Sequence, residues 1–267
     1  MRCHLSRVVV PLLESEILMS SQNQAEEFRA ARIGKVTEWI DIIHGEIQDL
    51  FLHHYIFWEL QKIIENNEKL STAHNHFFVW IGNSFVYSSS MFVRRQTDSR
   101  RDAISFRKLL EELCRPPHLI TREDFVNRGA FRGARHLNRV KVPSLEREFD
   151  EIAGEGAPYL QRAQIRADIG TLMESARSIE DYANHHIAHY AARPYDFALP
   201  TFADLDKCMK VLEELLQKYY FLIKGTRVQD IDVESTFMYD WKEIFAFPWL
   251  KDEKERRTEQ PSAPNSQ

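Results

Sequence analysis

Residues 158–193 read PYLQRAQIRADIGTLMESARSIEDYANHHIAHYAAR, and this stretch decides the fold class. Its apolar residues Ile165, Ile169, Leu172, Ala176, Ile179, Ala183 and Ile187 recur at steps of three and four, the period of one face of an α-helix. The pattern predicts a helix from Pro158, a residue suited to a first helical position, to about Tyr190, with Arg193-Pro194 as the stop. Towards the C-terminus, Thr201 is the predicted cap of a second helix, Phe202 to Lys224. Leu205, Cys208, Leu212, Leu215 and Tyr219 face inward, and Gly225 ends it. Towards the N-terminus, Trp39, Ile43, Ile47, Leu50, Phe51 and Trp58 predict a long helix from about Ala25 to Asn66, with Gly34 and Gly45 as possible break points. Ser71 is the predicted cap of another helix, which carries Phe77, Ile81, Phe85 and Phe92 and ends between Arg95 and Ser99.

Shorter helices are expected between these four. Ser105 caps Phe106 to Cys114, Thr121 and Asp124 form an imperfect capping box, and Pro143-Ser144 opens a segment closed by Gly154 and Gly156. The result is an all-α protein, a helical bundle of four main helices with short inserted helices. Composition agrees. The chain has 267 residues but only 9 glycines, 43% hydrophobic residues and 28% charged residues, which excludes wholesale disorder and suits helices better than turn-rich sheets.

Residues 1–24 are expected to be a disordered leader, with Met19 as a candidate start. Residues 25–250 are expected to form one domain, and residues 251–267 a flexible charged tail. Phe237, Trp241, Ile244, Phe245, Phe247 and Trp249 are too many large apolar groups for a free segment, and are expected to strap onto the body. The longest apolar run, Phe77 to Tyr87, is interrupted by Gly82, Asn83 and Ser84, so no membrane span and no membrane partner are expected. Cys3, Cys114 and Cys208 lie far apart, an odd set that fits neither a disulfide framework nor a zinc spacing. A reducing, cytoplasmic location follows as an expectation.

Three groups of residues can carry chemistry. In the late helix, Asp181, His185 and His189 share one stripe at about 100° per residue, almost opposite Ile187. Such a stripe serves as polar surface, as a hydrogen-bonded helix seam, as a phosphate site or as a metal pair. No Glu follows the first His as HExxH requires, so a zinc protease is excluded. The second group is basic. Between Arg94 and Arg147 there are 14 Lys and Arg against 7 Asp and Glu, in a chain whose net charge is -5. Arg128, Arg132, Arg135 and Arg139 form one helical stripe that suits phosphates, with Phe125 and Phe131 placed to stack bases. The same stripe also suits a solvated face, or pairing with an acidic helix such as Glu146 to Glu151. Third, Arg94 and Asp98 stand i, i+4 and predict an ion pair, a structural polar clasp on the turn over residues 98–105.

Several stretches occur in a telling order. They are Glu38-Trp39-Ile40; Val93-Arg94-Arg95 with Asp98; Ile104-Ser105-Phe106 with Leu109-Leu110; Tyr182, Asn184 and Ile187-Ala188-His189; and Asp240-Trp241-Lys242 with Phe245 and Pro248-Trp249. Over about residues 30–250 the chain resembles the AbiU-type abortive-infection branch of the HEPN superfamily. Its members are helical bundles, usually dimeric, and many are metal-independent ribonucleases in phage defence or toxin–antitoxin systems. Their motif is an Arg, a polar residue and, after a short spacer, a His. The resemblance implies that Asn184 is the polar residue and His189 the His, with His185 beside them as a further catalytic candidate, while the Arg position falls on Ala183. It implies a defence or stress protein that engages RNA, with ribonuclease activity degenerate or unconventional. A homodimer is expected, with an antitoxin or neighbouring defence protein as a further partner, and no cofactor or metal. The alternative is a non-catalytic helical dimerisation or binding module.

Overall fold

The computed structural model describes residues 9–72, 75–116, 118–133, 142–188 and 198–228, together with 233, 237 and 239–246; the side chains of 9–21, 128–133 and 142–143 are outside that description. Helices follow one another as α1 (Val9–Glu65), α2 (Glu68–Ser71), α3 (His76–Thr97), α4 (Phe106–Leu113), α5 (Arg122–Gly133), α6 (Val142–Ala153), α7 (Arg162–Tyr182) and α8 (Phe202–Lys224). A π-helical turn, Ala183–Ala188, continues α7, and a 3-10 helix spans Trp241–Ala246. Among the described residues the nearest thing to a sheet is an isolated bridge between Thr121 and Tyr159.

The four main helices close a ring: α1 packs on α3 and α8, and α7 packs on the same two. Contacts fix the directions. Phe57 stacks on Phe85 at 4.0 Å, while Glu46 pairs with Arg95 at 2.6 Å, so α1 and α3 run antiparallel. Asp41 and Lys224 at one level, and His54 and Asp206 at another, make α1 and α8 antiparallel. Asp168 accepts from Tyr219 at 2.6 Å and Ser175 bonds to Cys208, so α7 and α8 are antiparallel too. Every neighbouring pair therefore alternates, an up-and-down bundle. Its core holds Ile40, Ile43, Ile47, Leu50, Leu172, Ala176, Leu212 and Leu216, each Leu or Ile contributing about 1.5–3 kcal/mol by leaving water.

Local signals explain most boundaries. Ser105 Oγ accepts from Lys108 N at 3.1 Å and starts α4, and Thr201 with Asp204 makes a capping box for α8. Gly225 ends α8 at φ +68, a conformation that only glycine adopts cheaply. Three boundaries depart from expectation. The first helix begins at Val9 rather than near Ala25, so residues 9–24, expected as disordered leader, are helical, and Gly34 and Gly45 do not interrupt it. Pro11 falls in its first turn, where a missing N–H breaks no bond. α3 is capped by Asn75, whose side chain accepts from Phe77 N, and Ser71 instead closes the single turn α2; Asn is at least as good a cap as Ser. Finally, α7 starts at Arg162 rather than Pro158, because the backbone before it is already used. Arg122 N donates to Pro158 O at 2.9 Å and Leu160 N to Ile120 O at 3.1 Å.

A buried polar clasp joins α1 to α4. Arg32 and Glu112 are 6% and 5% exposed. Arg32 Nε donates to Glu112 Oε1 at 2.6 Å, and its terminal nitrogens donate to Glu112 O at 2.7 Å and Pro116 O at 2.9 Å. Burial pushes the Glu112 carboxyl up, but the Arg32 bond and the Lys35 and Arg32 charges outweigh it, so the group lies below its ordinary range.

The chain separates into two compact units, Met1–Ile231 and Asp232–Gln267. Within the second, Trp241 lies 6.0 Å from Phe237 and 6.2 Å from Phe245 between ring centroids; Phe247 and Trp249 lie outside the described residues. Among the described residues no helix is long and apolar enough to cross a membrane.

Two half-buried histidines give the fold a measurable acid sensitivity. His118 stacks on Tyr159 at 3.7 Å, with a buried Nδ1 that has no partner, and His44 meets Tyr220 edge-on at 5.1 Å, with a buried Nε2 likewise unpaired. Burial lowers both pKa values; Arg162 lowers that of His118 further, and Asp41 opposes the shift at His44. A lowered folded-state pKa contributes stability that is present above the unfolded value of about 6.5 and is lost as pH falls through the folded one. The urea midpoint should therefore fall between pH 7.5 and pH 5.5, before the low-lying carboxylates such as Glu112 titrate. His118→Phe keeps the ring stack and should fall less than the parent; parallel declines would show that His118 is not among the responsible groups.

Candidate functional site

The candidate site forms where the C-terminal halves of antiparallel α3 and α7 lie side by side. α7 carries its stripe as far as Tyr182, then widens into the π-turn Ala183–Ala188, a distortion enriched at functional sites. Ala183 is fully buried in the core. The residue at the position expected for a motif Arg thus has no room for a guanidinium and no access to solvent.

A cation reaches this turn from α3. Arg94 Nε donates to Asn184 Oδ1 at 2.5 Å, across 90 residues of sequence. The expected Arg94–Asp98 ion pair is therefore not the one made. Arg100 takes Asp98 instead, through its backbone N at 2.8 Å and its Nε at 2.8 Å. Asp98 begins an extended segment after α3, at ψ 126, so it no longer lies one helical turn above Arg94. Burial pushes the Asp98 carboxyl up, but the two Arg100 bonds bring it below its ordinary range. Asp98 keeps its structural role, since its carbonyl accepts from Ser105 Oγ at 2.6 Å and this ties the turn to the cap of α4.

Beside Arg94, Thr97 Oγ1 lies 3.1 Å from the Arg94 carbonyl and within hydrogen-bond reach of the Glu180 carboxylate, so its one proton is shared between two acceptors. Glu180 is half-buried, and burial raises its carboxyl above the ordinary range; the Thr97 bond and the charges of Arg107 and Arg94 pull the other way, while Asp181 adds to the rise. A carboxyl whose hold on its proton is strengthened by burial, beside a cation, is suited to proton transfer. Sequence reasoning missed Glu180, because burial rather than spacing singles it out.

The π-turn also redistributes the histidines. His185 Nδ1 lies 2.8 Å from the Asp181 carbonyl, which can only accept, so the ring proton sits on Nδ1. His186 stacks on Tyr182 at 5.1 Å, and burial, with Tyr87 nearby, raises the Tyr182 hydroxyl pKa. Of the expected stripe, Asp181 lies in the last turn of α7 and His185 in the π-turn. His189 lies outside the described residues.

The basic stripe also falls mostly outside the description: α5 spans Arg128 and Arg132 without their side chains, and Arg135 and Arg139 lie beyond it. Phe125, expected to stack bases, is instead a core residue, 1% exposed and packed on Phe149 and Phe221. Among the described residues no group of His, Cys, Asp and Glu is placed to hold a metal ion.

In comparison with protein families, residues 33–244 fit the model of HEPN_AbiU2, described as AbiU2. The chain belongs to the AbiU2 family of HEPN domains. The match takes in α3, α7, the π-turn and α8, and so the whole candidate site. No curated protein and no solved structure matched. As an AbiU2 protein the chain is an abortive-infection-related HEPN domain, and its all-α bundle is the architecture expected of one.

Proposed function

We propose that this AbiU2 protein is a cytoplasmic defence protein that engages RNA at the α3–α7 contact, with Arg94 supplying the cation that the late helix lacks. The observation that carries the reading is the Arg94–Asn184 hydrogen bond. Asn184 holds the guanidinium at the π-turn, and among the described residues no hydrogen bond occupies its terminal nitrogens. A guanidinium fixed in this way matches two phosphate oxygens at once and stabilises charge that develops on them. His189, in the same segment, would move the proton of the 2′-hydroxyl, with His185 and Glu180 as neighbouring proton-carrying groups. Phosphates further along a strand would meet Arg128, Arg132, Arg135 and Arg139. A homodimer, held in check by an antitoxin or a neighbouring defence protein, completes the proposal.

A second reading, a non-catalytic binding and dimerisation module, is favoured by the burial of Ala183, which leaves the motif without a cation of its own. Incubating the purified protein and His189→Ala with total RNA separates the two. Cleavage that vanishes in the variant supports the ribonuclease. RNA that stays intact and bound supports the binding module, and the absence of both binding and cleavage refutes RNA engagement.

A further inference from the structure

Between α3, α7 and the start of α8 lies a cavity of about 350 Å³, at the small end of ligand sites, which run to about 300–1,000 Å³. No charged side chain among the described residues lines it, so it suits a group that is neutral where buried. Two walls are aromatic: Phe85, stacked at 4.0 Å on Phe57, and Phe202, with its ring centroid 6.0 Å from Phe85. Ile179 of α7 and Leu205 of α8 close further sides.

One polar group stands out. Ser89 lines the cavity, is 1% exposed, and its Oγ has no hydrogen-bond partner. Its neighbour Ser88 bonds to the Phe85 carbonyl at 3.1 Å, as helical serines commonly do. A buried hydroxyl left unpaired is a cost that the polar edge of a ligand would remove. The demand is thus for a flat, neutral, aromatic group with a hydrogen-bonding edge. Ser90, also on the cavity wall, is four residues before Arg94, one helical turn or about 6 Å along the same side of α3.

We propose that this cavity receives an unstacked nucleobase, the ribose spanning the turn from Ser90 so that the phosphate lies against Arg94. The placement of the phosphate rests on the reading of Arg94 given above. Aromatic walls with one polar contact are how single-stranded RNA is commonly held, base by base. A free nucleotide has the same chemistry, and the test distinguishes the two.

The full chain would be titrated calorimetrically with adenosine, uridine, their 5′-monophosphates and a short single-stranded RNA. Ser89→Ala should weaken every base-bearing ligand that binds by about tenfold, the loss expected for one buried hydrogen bond. Val86→Trp, which fills the cavity, should abolish binding of the nucleosides. Arg94→Ala should weaken the monophosphates and RNA while sparing the nucleosides. Circular dichroism and urea midpoints check folding. Should Val86→Trp not fold, Ser89→Ala decides alone, since it removes only an unpaired hydroxyl. Monophosphates that bind through the cavity while RNA does not would support the base pocket, with a free nucleotide as ligand, and would refute RNA engagement. RNA binding that needs Arg94 but ignores both cavity variants would overturn the pocket and leave RNA engagement standing. If no base-bearing ligand binds, the proposal is wrong.

Discussion

Arg32→Ala should lower the unfolding free energy by about 3–5 kcal/mol, the cost of removing one partner from a buried ion pair. The substitution strands more than a charge. Among the described residues Glu112, 5% exposed, keeps only Lys35 at 3.4 Å and Arg115 at 3.1 Å, and both of those side chains are exposed enough for water to screen them. The carbonyls of Glu112 and Pro116 also lose the donors that Arg32 gave them. Because Arg32 lies on α1 and its partners lie in and just after α4, the loss should loosen α4 from the bundle. Replacing both residues, Arg32→Met with Glu112→Leu, should cost far less, since no unpaired charge remains. Urea unfolding of the two variants tests the argument; a loss below about 1 kcal/mol for Arg32→Ala would mean that water reaches the pair and screens it.

Arg94→Ala should reduce RNA cleavage by at least about 100-fold, the usual effect of removing a positioned donor from a developing anion; if the protein binds without cutting, binding should fall instead. Stability should hardly change, since Arg94 is only half-buried and makes one side-chain hydrogen bond among the described residues. Arg94→Lys keeps the charge but has no Nε–H for Asn184 and cannot grip two oxygens at once, so it should rescue only part of the loss. Asn184→Ala keeps the guanidinium but frees it, and should fall between the two. Arg95→Ala is the control, because Arg95 is committed to Glu46 at 2.6 Å and to the face of Phe92 at 4.5 Å. Equal losses from Arg94 and Arg95 would show that general positive charge matters and the Asn184 contact does not.

The bundle was legible because its signals are local. The apolar steps through Ile165–Ile179, the Ser105 and Thr201 caps and the Gly225 stop each act within a few residues, and each holds in the structure. The family resemblance, drawn from the order of weak stretches, is borne out by the family match. The misses come from contacts distant in sequence. Pro158 looked like a helix start because nothing near it reveals the bridge to Ile120 and Arg122. Arg94 had a carboxylate four residues on, and helical spacing alone favoured that pair over an amide 90 positions away. Glu180 carries no pattern at all, since its raised pKa comes from burial beside α3.

The π-turn at Ala183–Ala188 has a consequence for how this family can vary. A π-turn amounts to one residue more than an α-helix would use to cover the same rise. The azimuth of everything after Ala183 is therefore set by chain length, and not only by which side chains stand there. Deleting a single residue between Ala183 and Ala188 would restore an α-helical register and turn the residues after the deletion, up to Ala188, by about 100° about the axis. Among relatives, a one-codon gain or loss in this turn should therefore be a larger functional step than most substitutions, and histidines that align in sequence can point in different directions.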